Sequence, residues 1–424
     1  MSLLGTGHTP QAGTTAEAEA LIAEARARAR RRRRRIAVAV VGAVALTAGT
    51  LAATGAFNRG GPTATAGSGA DDAVTHPAAP PAYFIEASNT DGGYSAPVIR
   101  ASATGKLVAP TAVGNLDDYD PPYGLAATSP DSFVVGLMTP SDCSTQFFRF
   151  QVNDRGRPGA LTRVGPTLPG DLSSIAASAG GGLIAYEIDG DGCADARNPG
   201  SYLGVLDVST GRTRQWTGVP RFSGDLSMSA NGRLLAFSQE VTKPAPGSHG
   251  NGFNMLGDQV RVLATDAPPG TVAARSRVVE RISTEDSGFS APTVLLSPAG
   301  TSFYLCSQPV AFAKPGTERI TETAKIVAYR TATGKPSGVV AAWAASYVNR
   351  TGYAPMALSC SSMALDPSGR YLLVPYRQTF LQPADEYSGG SLTVARISIA
   401  TGARSDWTLS YGERQSPGAM SIAW

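Results

Sequence analysis

The densest group of chemistry-bearing side chains is LDDYDPPYG, Leu116 to Gly124, where Asp117, Asp118 and Asp120 sit among Tyr119 and Tyr123. Carboxylates at this spacing could divide the work of a general acid and a general base, or hold a cation. The plainer alternative is that Asp and Pro build a turn while the tyrosines cover an apolar seam. A second acidic group, Asp189, Asp191 and Asp195 in IDGDGCADA, could surround Ca²⁺. It lacks the D-x-D-x-D-G run and closing Glu of a calcium loop, so it is a weak candidate, and no metal or cofactor is expected.

Nucleophilic chemistry finds less support. No G-x-S-x-G and no G-x-x-x-x-G-K-[ST] occurs, and both T-G-K matches, at Thr104 and Thr333, fall in predicted hairpin turns. Neither Ser297–Phe303 nor Ser88–Tyr94 fits a sialidase-type Asp box. Only three histidines are present, His8, His76 and His249, which excludes a His-cluster metal site and argues against a Ser-His-Asp triad. The expectation is a protein that is not an enzyme.

The elements that must position these residues begin after an unusual N-terminus. Residues 36–57, IAVAVVGAVALTAGTLAATGAF, run for 22 positions without a charge. At about 1.5 Å per residue a helix of that length crosses a bilayer core. Arg26, Arg28 and the run Arg30–Arg35 stand directly before it, and such a cluster resists translocation. This predicts a basic cytoplasmic segment 1–35, a transmembrane helix 36–57, a flexible stalk 58–80 and an extracytoplasmic domain 81–424. A cleaved signal peptide is the competing reading, given the small residues near Ala53 and Ala56. The Arg run is expected to contact anionic lipid heads; the rest of the chain is slightly acidic, which argues against nucleic acid as a partner.

From Tyr83 onward no helical period appears, and short β-rich runs alternate with Gly, Pro, Asp, Ser and Thr clusters. A strand-turn-strand unit recurs at 175–188, 226–239, 295–308 and 363–376, with Gly182, Gly232, Gly300 and Gly369 expected to hold its turn. A second hairpin recurs at ATGK 103, NDRG 153, STGR 209, DAPPG 266, ATGK 332 and ATGA 400. Six units of four strands predict an all-β, six-bladed β-propeller. The first unit supplies three strands and the chain ends on AMSIAW, 419–424, so the C-terminal strand is expected to complete blade 1. Trp216, Trp343 and Trp407 fall on outer strands and are expected to pack between blades.

Strand, S/D-P-x-G-R/K-like turn, strand, and then a hairpin ending in D-x-x-T-G-x resembles the WD40-like propeller repeats of TolB-type proteins. Pro298 and Pro367 keep the Pro of that turn, whereas none of the four turns keeps its Asp beside the Gly. With 31 Arg against 5 Lys and abundant Ala and Gly, the chain is similar to membrane-anchored propeller proteins of high-GC actinobacteria. The resemblance implies a binding or scaffolding domain.

All four cysteines, Cys143, Cys193, Cys306 and Cys360, lie in the predicted extracytoplasmic part, where disulfides form. Their places in the repeat favour Cys143 with Cys193 and Cys306 with Cys360, each bridge contributing at most about 4 kcal/mol. Aromatic residues recur at blade entries: Tyr94, Phe222 beside Arg221, Phe289 and Tyr353, joining Tyr119 and Tyr123. Entries gather at one mouth of a propeller, where long loops are also expected at 240–257, 307–323 and 377–390. The expected function is a cell-surface binding module for a protein, glycan or small-molecule ligand. The alternatives are a propeller lyase, lactonase or glycosidase, and a membrane signalling partner of a cytoplasmic regulator.

Overall fold

A computed structural model describes residues 80–424 apart from 91–92, 95, 116–119, 140, 142, 190–200, 220–225, 245–252, 284–292, 308–319, 348–361, 378–391 and 410–419. The expected transmembrane helix 36–57 and the Arg run before it lie outside the described residues. Among the described residues, no helix is long and apolar enough to cross a membrane.

The strands form six antiparallel sheets, each a blade. Blade 1 has β1 (Tyr83–Thr90), a two-residue tip strand β2 (Gly93–Tyr94), β3 (Val98–Ala101) and β4 (Leu107–Pro110). Blade 2 has β5 (Asp120–Ser129), β6 (Ser132–Thr139), β7 (Ser144–Gln151) and β8 (Thr162–Pro169). Blade 3 has β9 (Asp171–Ala177), β10 (Leu183–Asp189), β11 (Tyr202–Asp207) and β12 (Thr213–Thr217). Blade 4 has β13 (Ser227–Met228), β14 (Leu234–Pro244), β15 (Phe253–Ala264) and, after the short β16 (Gly270–Thr271), β17 (Ser276–Ser283). Blade 5 has β18 (Val294–Leu296), β19 (Ser302–Ser307), β20 (Ile320–Arg330) and β21 (Pro336–Tyr347). Blade 6 has β22 (Ala364–Leu365), β23 (Tyr371–Arg377), β24 (Leu392–Ser398) and β25 (Arg404–Leu409).

The last strand, β26 (Met420–Ala423), returns to pair antiparallel with β1, Ile85 facing Ala423 and Ser88 facing Met420. Blade 1 is thus completed by the C-terminus, as the unit count predicts. Trp424, 1% exposed, follows that strand and donates from Nε1 to Ser102 Oγ at 2.9 Å. Closure removes the free inner edge that an open ring of sheets would leave.

Hydrophobicity explains why the middle strands read as nearly unbroken apolar runs. A second or third strand is covered on both faces by the neighbouring blades, so the first six residues of β6, SFVVGL, are all buried. Outermost strands meet solvent; in β12, TRQWT, only Trp216 is buried. Six apolar clusters follow, one at each seam between blades. The seam between blades 6 and 1 joins Leu373 and Val394 to Phe84, Ile422 and Trp424. Trp216, Trp343 and Trp407 each belong to or pack against such a cluster. Their interblade packing matches the expectation.

Both recurrent turns are present, with one correction. The tight turn is closed by Gly232, Gly300 and Gly369 at φ 70°, 74° and 71°, but in blade 3 by Gly181 at φ 65°. Gly182 is instead right-handed, at φ −69°. Amides of Gly181, Gly232, Gly300 and Gly369 donate to the carbonyls of Ser178, Ser229, Ser297 and Asp366 at 2.8–2.9 Å. The side chains at those four positions then accept the amide five residues on, from Leu183, Leu234, Ser302 and Tyr371. A second correction concerns the expected long loop 240–257. Strands β14 and β15 pair as far as Pro244 with Phe253, so most of that stretch is an extension of the hairpin.

Candidate functional site: the loop end of the ring

Alternating strand direction divides the connections between two ends. First-to-second and third-to-fourth turns leave at one end. Second-to-third loops and the crossovers from one blade to the next leave at the other. The first end is tightly bonded: the Ala179 amide donates to Ala230 O at 2.9 Å and the Ala230 amide to Pro298 O at 2.8 Å, so turns of blades 3, 4 and 5 are tied in sequence.

The strand ends that flank every candidate binding residue belong to the second end. Tyr94 is on β2, opposite Asn89 of β1. Asp120 begins β5 opposite Met138, and Tyr123 lies in the same strand, where the register shifts between Asp120 and Gly124. Asp117, Asp118, Tyr119, Arg221, Phe222, Phe289 and Tyr353 lie outside the described residues. They fall on the crossovers β4 to β5, β12 to β13, β17 to β18 and β21 to β22. Of the weak metal candidates, Asp189 ends β10 opposite Asp171 and accepts from Ser201 Oγ at 3.3 Å. Asp191 and Asp195 lie outside the described residues. Among the described residues no group of three or more His, Cys, Asp or Glu side chains could hold a metal ion.

Neither Cys143 nor Cys306 is a free thiol. Cys143 adopts φ 51° just before β7, and its carbonyl accepts the Gly170 amide at 2.8 Å. Cys193 and Cys360 lie outside the described residues, so the expected pairing is not described.

Sequence reasoning missed a set of buried carboxylates in the second and third strands. Glu86 is 1%, Glu187 4% and Asp258 2% exposed. Burying a carboxylate is costly unless it is paired. Glu86 accepts from Arg100 Nε, while Arg100 Nη1 donates to Gly105 O at 3.0 Å and so ties the third-to-fourth turn of blade 1 to the ion pair. Asp258 faces Glu240 across β14 and β15, and burial pushes the Glu240 carboxyl above its ordinary value. The signal available in sequence was a lone acid inside an apolar strand, as in YFIEAS and LIAYEID.

Between blades 5 and 6, Arg404 lies 4.8 Å from the Tyr376 ring and 5.5 Å from the Trp343 ring. The Tyr376 hydroxyl donates to Asp406 at 3.2 Å, and burial pushes its pKa up. This cluster is filled by the protein's own cation, so it serves the seam and leaves no cage for a ligand.

No protein-family model matches the chain, and no curated protein matches it. Among solved structures, TolB from Acinetobacter baumannii is similar at 13% identity and a TM-score of 0.45, over 81% of this chain and 66% of that one. A putative TolB from Agrobacterium tumefaciens is similar at 11% identity and a TM-score of 0.40, over 80% and 96%. An oligogalacturonate lyase in complex with manganese is similar at 10% identity and a TM-score of 0.39, over 76% and 77%. At these values the likeness says nothing about activity, and the six-bladed architecture rests on the strand pairing itself.

Proposed function

We propose that the chain is a membrane-anchored, extracytoplasmic propeller of TolB-like kind that acts as a binding module through its loop end. In this reading residues 1–35 are cytoplasmic, 36–57 span the membrane, 58–80 form a stalk and 81–424 carry the propeller. Bridges Cys143–Cys193 and Cys306–Cys360 staple neighbouring blades. The observation that carries the reading is the asymmetry of the ring. At one end the tight turns of blades 3, 4 and 5 are hydrogen-bonded to one another. The other carries the connections of twelve residues or more, 190–201, 308–319, 348–363 and 378–391, and the stretches that hold the Tyr, Phe, Asp and Arg221 candidates.

The test is site-specific photo-crosslinking in intact cells expressing the full chain. A photoreactive residue at Tyr119, Tyr123 or Phe222 is expected to give covalent adducts. The same residue at Thr210 or Thr333, exposed in turns of the opposite end, is expected to give none. Adducts spread equally over both ends, or confined to the turn end, overturn the reading. Turnover of a lactone or a uronic-acid glycan that is lost in Asp117→Asn or Asp120→Asn replaces it with an enzyme. Protease added outside the cell should remove 81–424 and leave a membrane-bound N-terminal fragment.

A further inference from the structure

The two ends of the ring differ in charge as well as in construction. Residues 81–424 hold 27 bases and 28 acids, so the propeller is close to neutral as a whole. The residues between strands at the turn end include eight bases and four acids; those at the loop end include six bases and thirteen acids. The excess at the turn end follows a pattern in which a turn glycine of positive φ is followed by a base: Lys106, Arg157, Arg212, Arg233, Lys335 and Arg370. These six, with Arg155 and Arg275, are all exposed, and among the described residues none of the eight forms an ion pair. Of the four acids, Asp366 is buried and accepts the Arg370 and Tyr371 amides at 2.7 Å.

The chain also enters the propeller at this end. The Ala82 carbonyl accepts the Ser102 amide at 2.8 Å, and the Pro81 carbonyl accepts from Trp424 Nε1 at 3.4 Å. Residues 81–82 are thereby fixed beside the third-to-fourth turn of blade 1. Every internal stretch outside the described residues belongs to a connection of the loop end, so all the turns that carry the bases are described.

We propose that the turn end is a docking face for an anionic phospholipid bilayer, the one to which the chain is tethered. This rests on the reading of 36–57 as a membrane span and 58–80 as a stalk. Two observations select the occupant. A flexible stalk of that length has an r.m.s. reach of about 25–30 Å and joins the propeller at the turn end, so that end meets the bilayer at high effective concentration. The exposed bases carry the sign that anionic head groups attract, while the acidic loop end is repelled. Docked in this way, the ring holds its loop end and the candidate binding residues away from the membrane. Lipid is not a protein partner, so a crosslinker at Thr210 or Thr333 still yields no protein adduct there.

The test is energy transfer from the full-length protein to a head-group dye in vesicles, with the donor at Thr333 on the turn end or at Leu256, exposed on the loop end. When phosphatidylcholine is replaced by a mixture with about 30% phosphatidylglycerol at about 0.1 M salt, transfer from Thr333 should rise at least about twofold. Transfer from Leu256 should not rise. The gain should vanish at about 1 M salt, where the Debye length falls to about 3 Å. Replacing the six bases that follow turn glycines by Gln should also abolish it, with circular dichroism and melting temperature unchanged. Arg281→Gln with Lys325→Gln, two exposed bases outside the turns, should keep it. Equal transfer from Thr333 in the two lipid mixtures overturns the proposal, as does a gain at both positions or one that survives the six Gln substitutions. A turn end that binds soluble heparin but shows no gain on these vesicles overturns it in favour of an acidic glycan. The anchor is read separately: the chain should float with pure phosphatidylcholine vesicles at about 1 M salt, where charge is screened. Failure to float overturns the membrane span, while transfer to the phosphatidylglycerol vesicles still decides the face.

Discussion

The Ser227 hydroxyl, on the innermost strand of blade 4, accepts the Leu296 amide of the innermost strand of blade 5 at 2.8 Å. Ser174 does the same for Leu226 one seam earlier, at 3.0 Å. Both serines are buried, so the inner strands are joined edge to edge by side chains where no backbone ladder can reach. Ser227→Ala leaves the Leu296 amide without that acceptor and should cost about 1–3 kcal/mol, read as a lower unfolding midpoint at unchanged denaturant slope.

The triple glycine of blade 3 allows a sharp comparison between neighbours. At Gly181, φ 65°, an added Cβ would come within 2.5 Å of Arg149 Nη2 and 2.9 Å of Thr128 Cγ2. At Gly182, φ −69°, it would meet nothing within 4 Å. Gly181→Ala is therefore expected to destabilise by at least about 1–2 kcal/mol, and Gly182→Ala to be neutral or to stabilise by about 0.4–1 kcal/mol. Thermal melts of the two variants check the difference in sign.

Closure of the ring should be measurable at its last residue. Trp424→Ala removes a fully buried indole and its bond to Ser102, and a loss of about 3–5 kcal/mol is expected. Trp424→Phe keeps most of the packing and should lose distinctly less. Equal losses in the two variants would mean that the Nε1 hydrogen bond, and not the packing, holds the strap.

Glu240 gives the fold a pH dependence. Its carboxyl is held above the ordinary value by burial, so the folded chain binds that proton more tightly than the unfolded chain. The resulting stability is present below the unfolded carboxylate value, near about pH 4, and is lost as pH rises through the elevated folded value. Glu240→Gln should accordingly melt higher than the parent at pH 7, with the difference closing at about pH 4. Scanning calorimetry at the two pH values checks the sign.

Much of this architecture was legible because its signals are local. Gly105, Gly211, Gly334 and Gly402 all take φ of 67–68° in the T-G turns, a conformation that glycine adopts without a Cβ clash. Those glycines mark four of the hairpins in sequence, and NDRG at 153 and DAPPG at 266 complete the count of six units. In AGGG no residue distinguishes the left-handed Gly180 and Gly181 from the right-handed Gly182; the frame is set by Ser178, whose side chain accepts the Leu183 amide. The candidate binding residues were read as a group on blade entries, since a crossover follows once the strands have been counted, but Tyr94 lies on β2, between the second and third strands of blade 1.

What residue type and spacing determined by themselves were the all-β class, six four-stranded units and a C-terminal strand belonging to blade 1, because turn conformation and strand alternation depend on neighbours in the chain. Only the tertiary structure decided which charges are buried and which edges are open. Arg100 meets Glu86 across two strands, and Gly270–Thr271 leaves blade 4 to cover the rim of blade 3. Desolvation and edge pairing are properties of residues brought together from far apart in sequence, and no local pattern encodes them.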